Sequence, residues 1–297
     1  MNDNSINNRE KCEFVCSGDA GFPERLDRFL TGKGRVEKLY YRGDLSLAGK
    51  LSIAVVGSRD CSPYGMSVAK EIGRLAAEYG VVVISGLARG IDSAAQRSVL
   101  DAGGISIGVI ANGLDIYYPP ENRDLQEKIS RDGLLLSEYP PGERARGYYF
   151  PLRNRIISAL ADAVVVVEAG TRSGALITAE CAEEQGKTVF AVPGNIVNPR
   201  SFGTNKLIQD KADIVVSCDD IFKSLGCEIS AKKKKYQNLG GDEKKIVDAL
   251  AGCGEMSIDA LSCAVDMDVS DLNSLITIME IKGVLACEMG KIFIADL

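Results

Sequence analysis

The chain has 297 residues, 45% of them apolar, a formal net charge of −6 and no histidine. That is enough apolar content for one large core and a smaller second one, while the missing imidazole excludes Ser-His-Asp and Cys-His nucleophiles, histidine metal ligation and imidazole acid–base catalysis. No apolar run approaches the roughly 20 residues that span a bilayer, the first ten residues are polar with no secretory core, and the nine cysteines are scattered free thiols that fit a reducing cytoplasm better than a zinc site.

Residues 1–45 read as a short N-terminal lead-in to a core of residues 46–228. In the core, apolar β-branched runs predict strands at Ser52–Val56, Val81–Ser85, Ser106–Ala111, Leu134–Glu138, Ala163–Glu168, Thr188–Val192 and Asp213–Ser217. Helices are predicted between them, roughly at Tyr64–Tyr79, Ile91–Ala102, Asn122–Arg131, Arg153–Leu160, Gly174–Gln185, Asn205–Asp210 and Asp219–Leu225. Strict alternation of strand and helix is the signature of an α/β, doubly wound parallel sheet.

Residues 229–241, with the run Lys232–Lys235, have linker composition. Beyond them, residues 242–297 predict helices at Glu243–Leu250, Ser257–Ala264 and Ser270–Lys282, then a hairpin of Val284–Glu288 and Lys291–Ala295. That is the order of a small winged-helix-like α+β domain. From Gly241 onward eleven carboxylates face four lysines, a net of −7 that leaves about +1 for the rest. The acidity of the chain is therefore local, and the core is free to meet a polyanion. The third helix carries Asp271 and Glu280 against Lys282, which suits a protein contact better than a DNA groove.

Chemistry concentrates at the strand ends of the core. Gly57-Ser58-Arg59 follows the first strand, Ser85–Asp92 the second with Arg89, Asn112–Asp115 the third, Ser137–Arg146 the fourth, and Glu168–Gly174 the fifth with Arg172 and Ser173. Arg153, Asn154 and Arg155 stand at a predicted helix start. Parallel strands place all these loops on one rim, where helix N-termini offer N–H groups to anions. None is a G-x-G-x-x-G dinucleotide fingerprint. The rim gathers Arg59, Arg89, Arg146, Arg153, Arg155 and Arg172, with Tyr148, Tyr149 and Phe150 as stacking platforms. Cations interleaved with aromatics suit single-stranded nucleic acid, whose phosphates pair and whose bases stack. Glu168 and Glu180 lie near one glycine loop, and Glu168 reads as an orienting partner for arginines rather than a catalytic acid or base.

These strings together resemble the DNA-processing protein A family (DprA, also called Smf), from about Phe22 to Leu225. The resemblance rests on Phe22-Pro23-Glu24-Arg25-Leu26, Leu39–Asp44, Gly57-Ser58-Arg59 through Gly65, Ser85–Asp92, Gly113–Asn122, Leu136–Gly142, Phe150–Ile157, Val166–Ala179 and Phe190–Gly194. It implies a Rossmann-like core that forms a homodimer, binds single-stranded DNA and loads the RecA recombinase during natural transformation. It also implies that Arg59 holds DNA, with Arg146, Arg153 and Arg155 beside it. Gln96 stands where the family usually has histidine, and Gly174-Ala175-Leu176 where it has Gly-Ser-Leu. The helical N-terminal domain of longer members has no counterpart in the residues before Phe22.

The candidate DNA-binding residues are thus Gly57, Ser58, Arg59, Arg89, Arg146, Phe150, Arg153, Asn154, Arg155, Arg172, Ser173 and Gly174, with no catalytic residue, metal or cofactor expected. Two alternatives stay open on the residues alone. One is a phosphoribohydrolase of the LOG type, although the loop Glu168–Gly174 lacks that group's double glycine and its glutamate spacing. The other is a nucleotide sensor on the same fold.

Overall fold

A computed structural model describes residues 12–227, 240–282, 284–288 and 290–295, which form two compact units divided between Ile229 and Ser230. The lysine run and residues 229–239 of the expected linker lie outside the described residues.

The first unit is built on a nine-stranded sheet. Seven strands are parallel: β3 (Ser52–Val56), β4 (Val82–Ser85), β5 (Ser106–Val109), β6 (Leu134–Ser137), β7 (Ala163–Val166), β8 (Thr188–Ala191) and β9 (Asp213–Ile214). Two more come from the lead-in, β1 (Glu13–Cys16) and β2 (Lys38–Gly43), which extend the sheet antiparallel beyond β6. The order is β1-β2-β6-β5-β4-β3-β7-β8-β9. The chain therefore runs outward from β3 to β6, then returns to lay β7 on the other side of β3. A doubly wound sheet has its ligand crevice at such a reversal, outside the carboxyl ends of the strands.

The pleat explains why the strand sequences carry consecutive apolar residues. Ile53 and Val55 enter one core while Ala54 and Val56 enter the other, and Ala163 and Val165 separate from Val164 and Val166 in the same way. Successive side chains point to opposite faces, and both faces are covered. One core is closed by α1 (Glu24–Phe29), α5 (Tyr149–Leu160) and α6 (Gly174–Glu184); the other by α2 (Pro63–Tyr79), α3 (Ile91–Asp101), α4 (Arg123–Asp132) and α8 (Cys218–Ser224). A further helix, α7 (Phe202–Asp210), precedes β9. Helix α2 starts as its sequence requires, with Ser62 accepting the Gly65 N–H at 3.1 Å and Pro63 in the first turn. It ends on Gly80 at φ 68°.

One ion pair ties α3 to the first turn of α4. Arg97 donates to Asp124 at 2.5 and 2.9 Å, and that hydrogen bond holds the Asp124 carboxyl down at about 2. A depressed carboxyl contributes stability that is complete above its unfolded value near 4 and is lost as pH falls toward the folded one. Because the pair is largely exposed, we expect Asp124→Asn to cost well under 1 kcal/mol at neutral pH. Urea unfolding should show the gap to wild type narrowing between pH 5 and pH 3.

The second unit contains α9 (Gly241–Cys253), β10 (Glu255–Ser257), α10 (Ile258–Val265), α11 (Val269–Ile281), β11 (Leu285–Glu288) and β12 (Lys291–Ile294), with strand order β10-β12-β11. The strand β10 had no counterpart among the predicted elements. Its core is Ile246, Leu250, Leu261, Leu272, Ile276, Met279 and Leu285 with neighbours from both hairpin strands. Ile278 and Ile281 of α11 are exposed, so this helix offers apolar and acidic surface together. Among the described residues no helix is long and apolar enough to cross a membrane.

Candidate nucleic-acid interface

The loops after β3, β4 and β5 meet the start of α5 around a cavity of about 190 Å³. Its wall includes Arg59, Ala88, Arg89, Asn112, Tyr118 and Phe150, and Gly86 and Arg153 also line it. The Arg59 guanidinium lies 5.0 Å from the Phe150 ring centre, and Phe150 is tilted against Tyr118 at 5.5 Å. Arg59 and Arg89 are exposed, and Arg89 has only a 3.9 Å approach to Glu121. Two solvated cations thus border an aromatic wall at the carboxyl edge of a parallel sheet.

Helix α5 begins at Tyr149 rather than at Arg153, so the expected anion-binding helix start at Arg153-Asn154-Arg155 does not exist. These residues sit in its second turn, where the backbone N–H groups are already used. Arg153 is only 4% exposed. It donates through Nη1 to the carbonyls of Gly86, at 2.8 Å, and Val109, and through Nε to Asn154 at 3.2 Å. Burial lowers its pKa to about 10, against the pull of Asp92. Asp92 is itself pushed up by burial and drawn back first by Arg153, and it accepts the Gly86 N–H at 3.1 Å. The guanidinium lies flat on Gly86, where an added Cβ would stand 2.6 Å from Nη2. Arg153 is therefore the floor of the cavity rather than a rim cation.

Arg155 points elsewhere. It pairs with Glu138 at 2.6 Å with both side chains under one-fifth exposed, so its charge is spent inside the protein. Asn154 donates to the Gly174 carbonyl at 3.1 Å and thereby holds the β7–α6 loop. In that loop Ser173 accepts the Ala175 N–H as the cap of α6, and Arg172 is exposed with no ion pair to any described residue. Arg172, Ser173 and Gly174 stand outside the cavity wall. Arg146 is exposed too, 3.1 Å from Glu143 and 5.7 Å from the Tyr149 ring centre. Tyr149 stacks on Tyr139 at 3.9 Å and meets the exposed Tyr148 edge-on at 4.6 Å. The structure so divides the candidates: Arg59, Arg89, Phe150 and Arg153 share one cavity, while Arg146 and Arg172 belong to neighbouring loops.

Gly57 and Ser58 lead into the cavity loop, which is held from two sides. Ser58 donates its N–H to the Glu168 carbonyl at 2.8 Å. Ser62 donates its N–H to Glu168 Oε2 at 2.9 Å and its hydroxyl to Oε1. On the outer side, Arg200 donates to the Asp60 carbonyl at 2.8 Å and to its carboxylate at 2.7 Å. Glu180, by contrast, is exposed on α6, so the two glutamates do not form a pair. Gln96 is buried away from the cavity, donating to Ser106 at 3.1 Å and the Ile107 carbonyl at 3.2 Å.

Residues 13–226 match the family described as DNA recombination-mediator protein A. The chain belongs to this family. It is 50% identical over 184 residues to the DNA processing protein DprA of Streptococcus pneumoniae, covering 62% of this chain and 64% of that protein. With DprA of Bacillus subtilis the figures are 43% over 188 residues, 63% and 63%. The chain thus spans less than two thirds of the length of these relatives. Among solved structures, the S. pneumoniae protein aligns with a TM-score of 0.68 at 41% identity, over 74% of this chain and 76% of that one. DNA processing protein A from Helicobacter pylori, whose single-stranded DNA binding mode has been described structurally, aligns at 0.65 with 29% identity, over 73% and 97%.

Several contributors to the cavity were not among the candidates named from sequence. Gly86 is needed beneath Arg153, Asn112 and Tyr118 complete the wall, and Arg200 clamps the cavity loop from a distant segment. Gly86, Asn112 and Tyr118 stood inside the motif loops; Arg200 carried no signal, since an arginine after Pro199 resembles any surface cation.

Proposed function

We propose that this protein is a non-catalytic single-stranded DNA binder that protects strands and loads the RecA recombinase onto them in natural transformation or related recombination. It acts as a homodimer in the cytoplasm without a cofactor. The observation that carries this reading is the Arg59–Phe150–Tyr118 wall with Arg89 at its side: solvated cations for phosphates next to aromatic faces for bases. Family membership and the single-stranded DNA binding of the H. pylori relative support it. Arg146, Arg172 and Tyr148 extend the cationic and aromatic track, while Arg153, Asn154 and Arg155 shape the rim from inside. The acidic winged-helix-like unit serves as a protein contact.

The hydrolase and sensor alternatives need a free helix N-terminus for a nucleotide phosphate at the sheet reversal. Glu168 fills that place at the start of α2, the Glu168–Gly174 loop at the start of α6 lacks the double glycine of the LOG type, and no release of base from AMP is expected. The direct test is fluorescence anisotropy of labelled oligo-dT against a duplex of equal length. Tight single-strand binding that weakens linearly in a plot of log affinity against log salt is expected; equal affinity for duplex, or indifference to salt, would overturn the reading. Phe150→Ala should cost about 1–3 kcal/mol of oligo-dT affinity, the worth of one stacked base, with the melting temperature nearly unchanged because the ring is only half-buried.

A further inference from the structure

At the reversal between β3 and β7, a Rossmann-type sheet leaves the N-terminus of the following helix open for a phosphate. In this chain the corresponding place, the start of α2, is occupied by a carboxylate of the chain itself. Glu168 leaves the end of β7 only 1% exposed and crosses to α2. It accepts the Ser62 N–H at 2.9 Å on one oxygen and the Ser62 hydroxyl on the other, while Ser62 in turn accepts the Gly65 N–H at 3.1 Å. The fit is close: a Cβ on Gly65 would lie 2.6 Å from the Glu168 carboxyl carbon. The main chain repeats the link, since the Glu168 carbonyl accepts the Ser58 N–H at 2.8 Å.

We infer that Glu168 is a built-in surrogate for the nucleotide phosphate and a positioning residue for DNA binding. Its carboxylate satisfies the positive end of α2 and fixes the Ser62 end of the segment Ser58–Ser62, whose Ser58 end is held by the Glu168 main-chain carbonyl. That segment carries Arg59, which touches the Phe150 ring at the cavity mouth. The fold's anion site has thus been turned from a ligand site into an internal fastener, and the external anion, the DNA phosphate, is met one loop further out by Arg59. Asp60 and Arg200 restrain the same segment from outside, so the fastener acts on a loop that is otherwise exposed. The inference rests on the single-stranded DNA reading for its functional half, and its structural half stands without DNA.

The experiment is chemical rescue of Glu168→Gly in the full chain. The deletion leaves a hole the size of a small carboxylic acid next to unpaired N–H and hydroxyl donors. Oligo-dT affinity is expected to fall about tenfold, the worth of a charged hydrogen-bonded group. Sodium acetate or formate should restore most of it, relative to chloride at equal ionic strength, and should leave wild type unchanged. The same anions should raise the melting temperature of Glu168→Gly above the chloride control, a reading that involves no DNA. Glu168→Gln keeps the shape and one acceptor; it should show a smaller loss and no response to acetate, and it carries the test if the glycine variant does not fold. Wild-type affinity in Glu168→Gly, an absent anion effect on its stability, or acetate rescue of Glu168→Gln would each overturn the inference. Failure of the wild type to bind oligo-dT while the anion-dependent melting shift persists would instead count against the DNA reading alone.

Discussion

Replacing Arg59 by glutamate is expected to weaken oligo-dT binding by about 2–4 kcal/mol, roughly 30- to 1,000-fold. Three effects add in one direction. The substitution removes a phosphate partner, removes the cation that lies 5.0 Å from the Phe150 ring centre, and places a carboxylate where the strand's own negative charge must pass. The salt dependence should become shallower by about one counterion. Stability should scarcely change, because Arg59 is exposed and forms no ion pair with a described residue. Arg59→Lys should keep the counterion and lose only the planar contact with the ring, so its loss should be much the smaller. Anisotropy at two salt concentrations, with melting curves alongside, separates these outcomes. An Arg59→Glu protein that binds as wild type would move the DNA track away from the cavity altogether.

Arg153→Met should act in the opposite way, chiefly on stability. Arg153 is buried, draws the buried Asp92 carboxyl back toward its charged form against the effect of burial, and donates to the carbonyls of Gly86 and Val109 at the ends of β4 and β5. Removing one partner of such a buried charged group costs about 3–5 kcal/mol, since the remaining charge and carbonyls keep their desolvation penalty without compensation. Urea denaturation should show that loss in the first unit. Adding Asp92→Asn should recover part of it by removing the orphaned carboxylate, even though the asparagine still leaves the carbonyls unmet. A loss below about 1 kcal/mol, as at ordinary surface sites, would mean that the cavity floor is held by the surrounding backbone and not by this guanidinium.

The contrast between these two arginines shows where sequence reading worked and where it stopped. Strands such as β3 and β7 were legible because their apolar positions run consecutively instead of alternating with polar ones, the pattern of a sheet buried on both faces. The seven parallel strands and the helices between them follow from that. The antiparallel strands β1 and β2 were not legible: Glu13–Cys16 is short and half exposed, and Lys38–Gly43 mixes cations with tyrosines. β2 forms because β6 offers an antiparallel partner, and β1 because β2 does, which no local signal announces. The helices and the hairpin of the second unit were visible in its periodicity; the three-residue β10 was not.

Within the site, residue types were legible and their orientation was not. Arg153 and Arg155 are two apart on one helix, so they leave it in different directions: one floors the cavity and the other finds Glu138. Reading α5 from Arg153 instead of Tyr149 hid that phase. Glu168 was placed correctly near the glycine loop, yet its partner turned out to be Ser62 at the head of another helix and not an arginine. Contacts of this kind join segments far apart in the chain, and neither propensity nor spacing encodes them.

The cavity wall takes residues from the ends of three strands and from a helix that follows a fourth. No single hairpin or βα unit contains it. Its geometry is a property of the finished sheet, appearing only once β3, β4 and β5 lie side by side and α5 has closed over them. Assembling such non-local contacts carries a loop-closure cost that local contacts do not. By mass action, any strand that occupies the rim then stabilises the whole first unit against unfolding. A nucleic acid bound on this surface would therefore also clamp the first unit, and a resistance of that unit to proteolysis that rises with oligonucleotide concentration would report both at once.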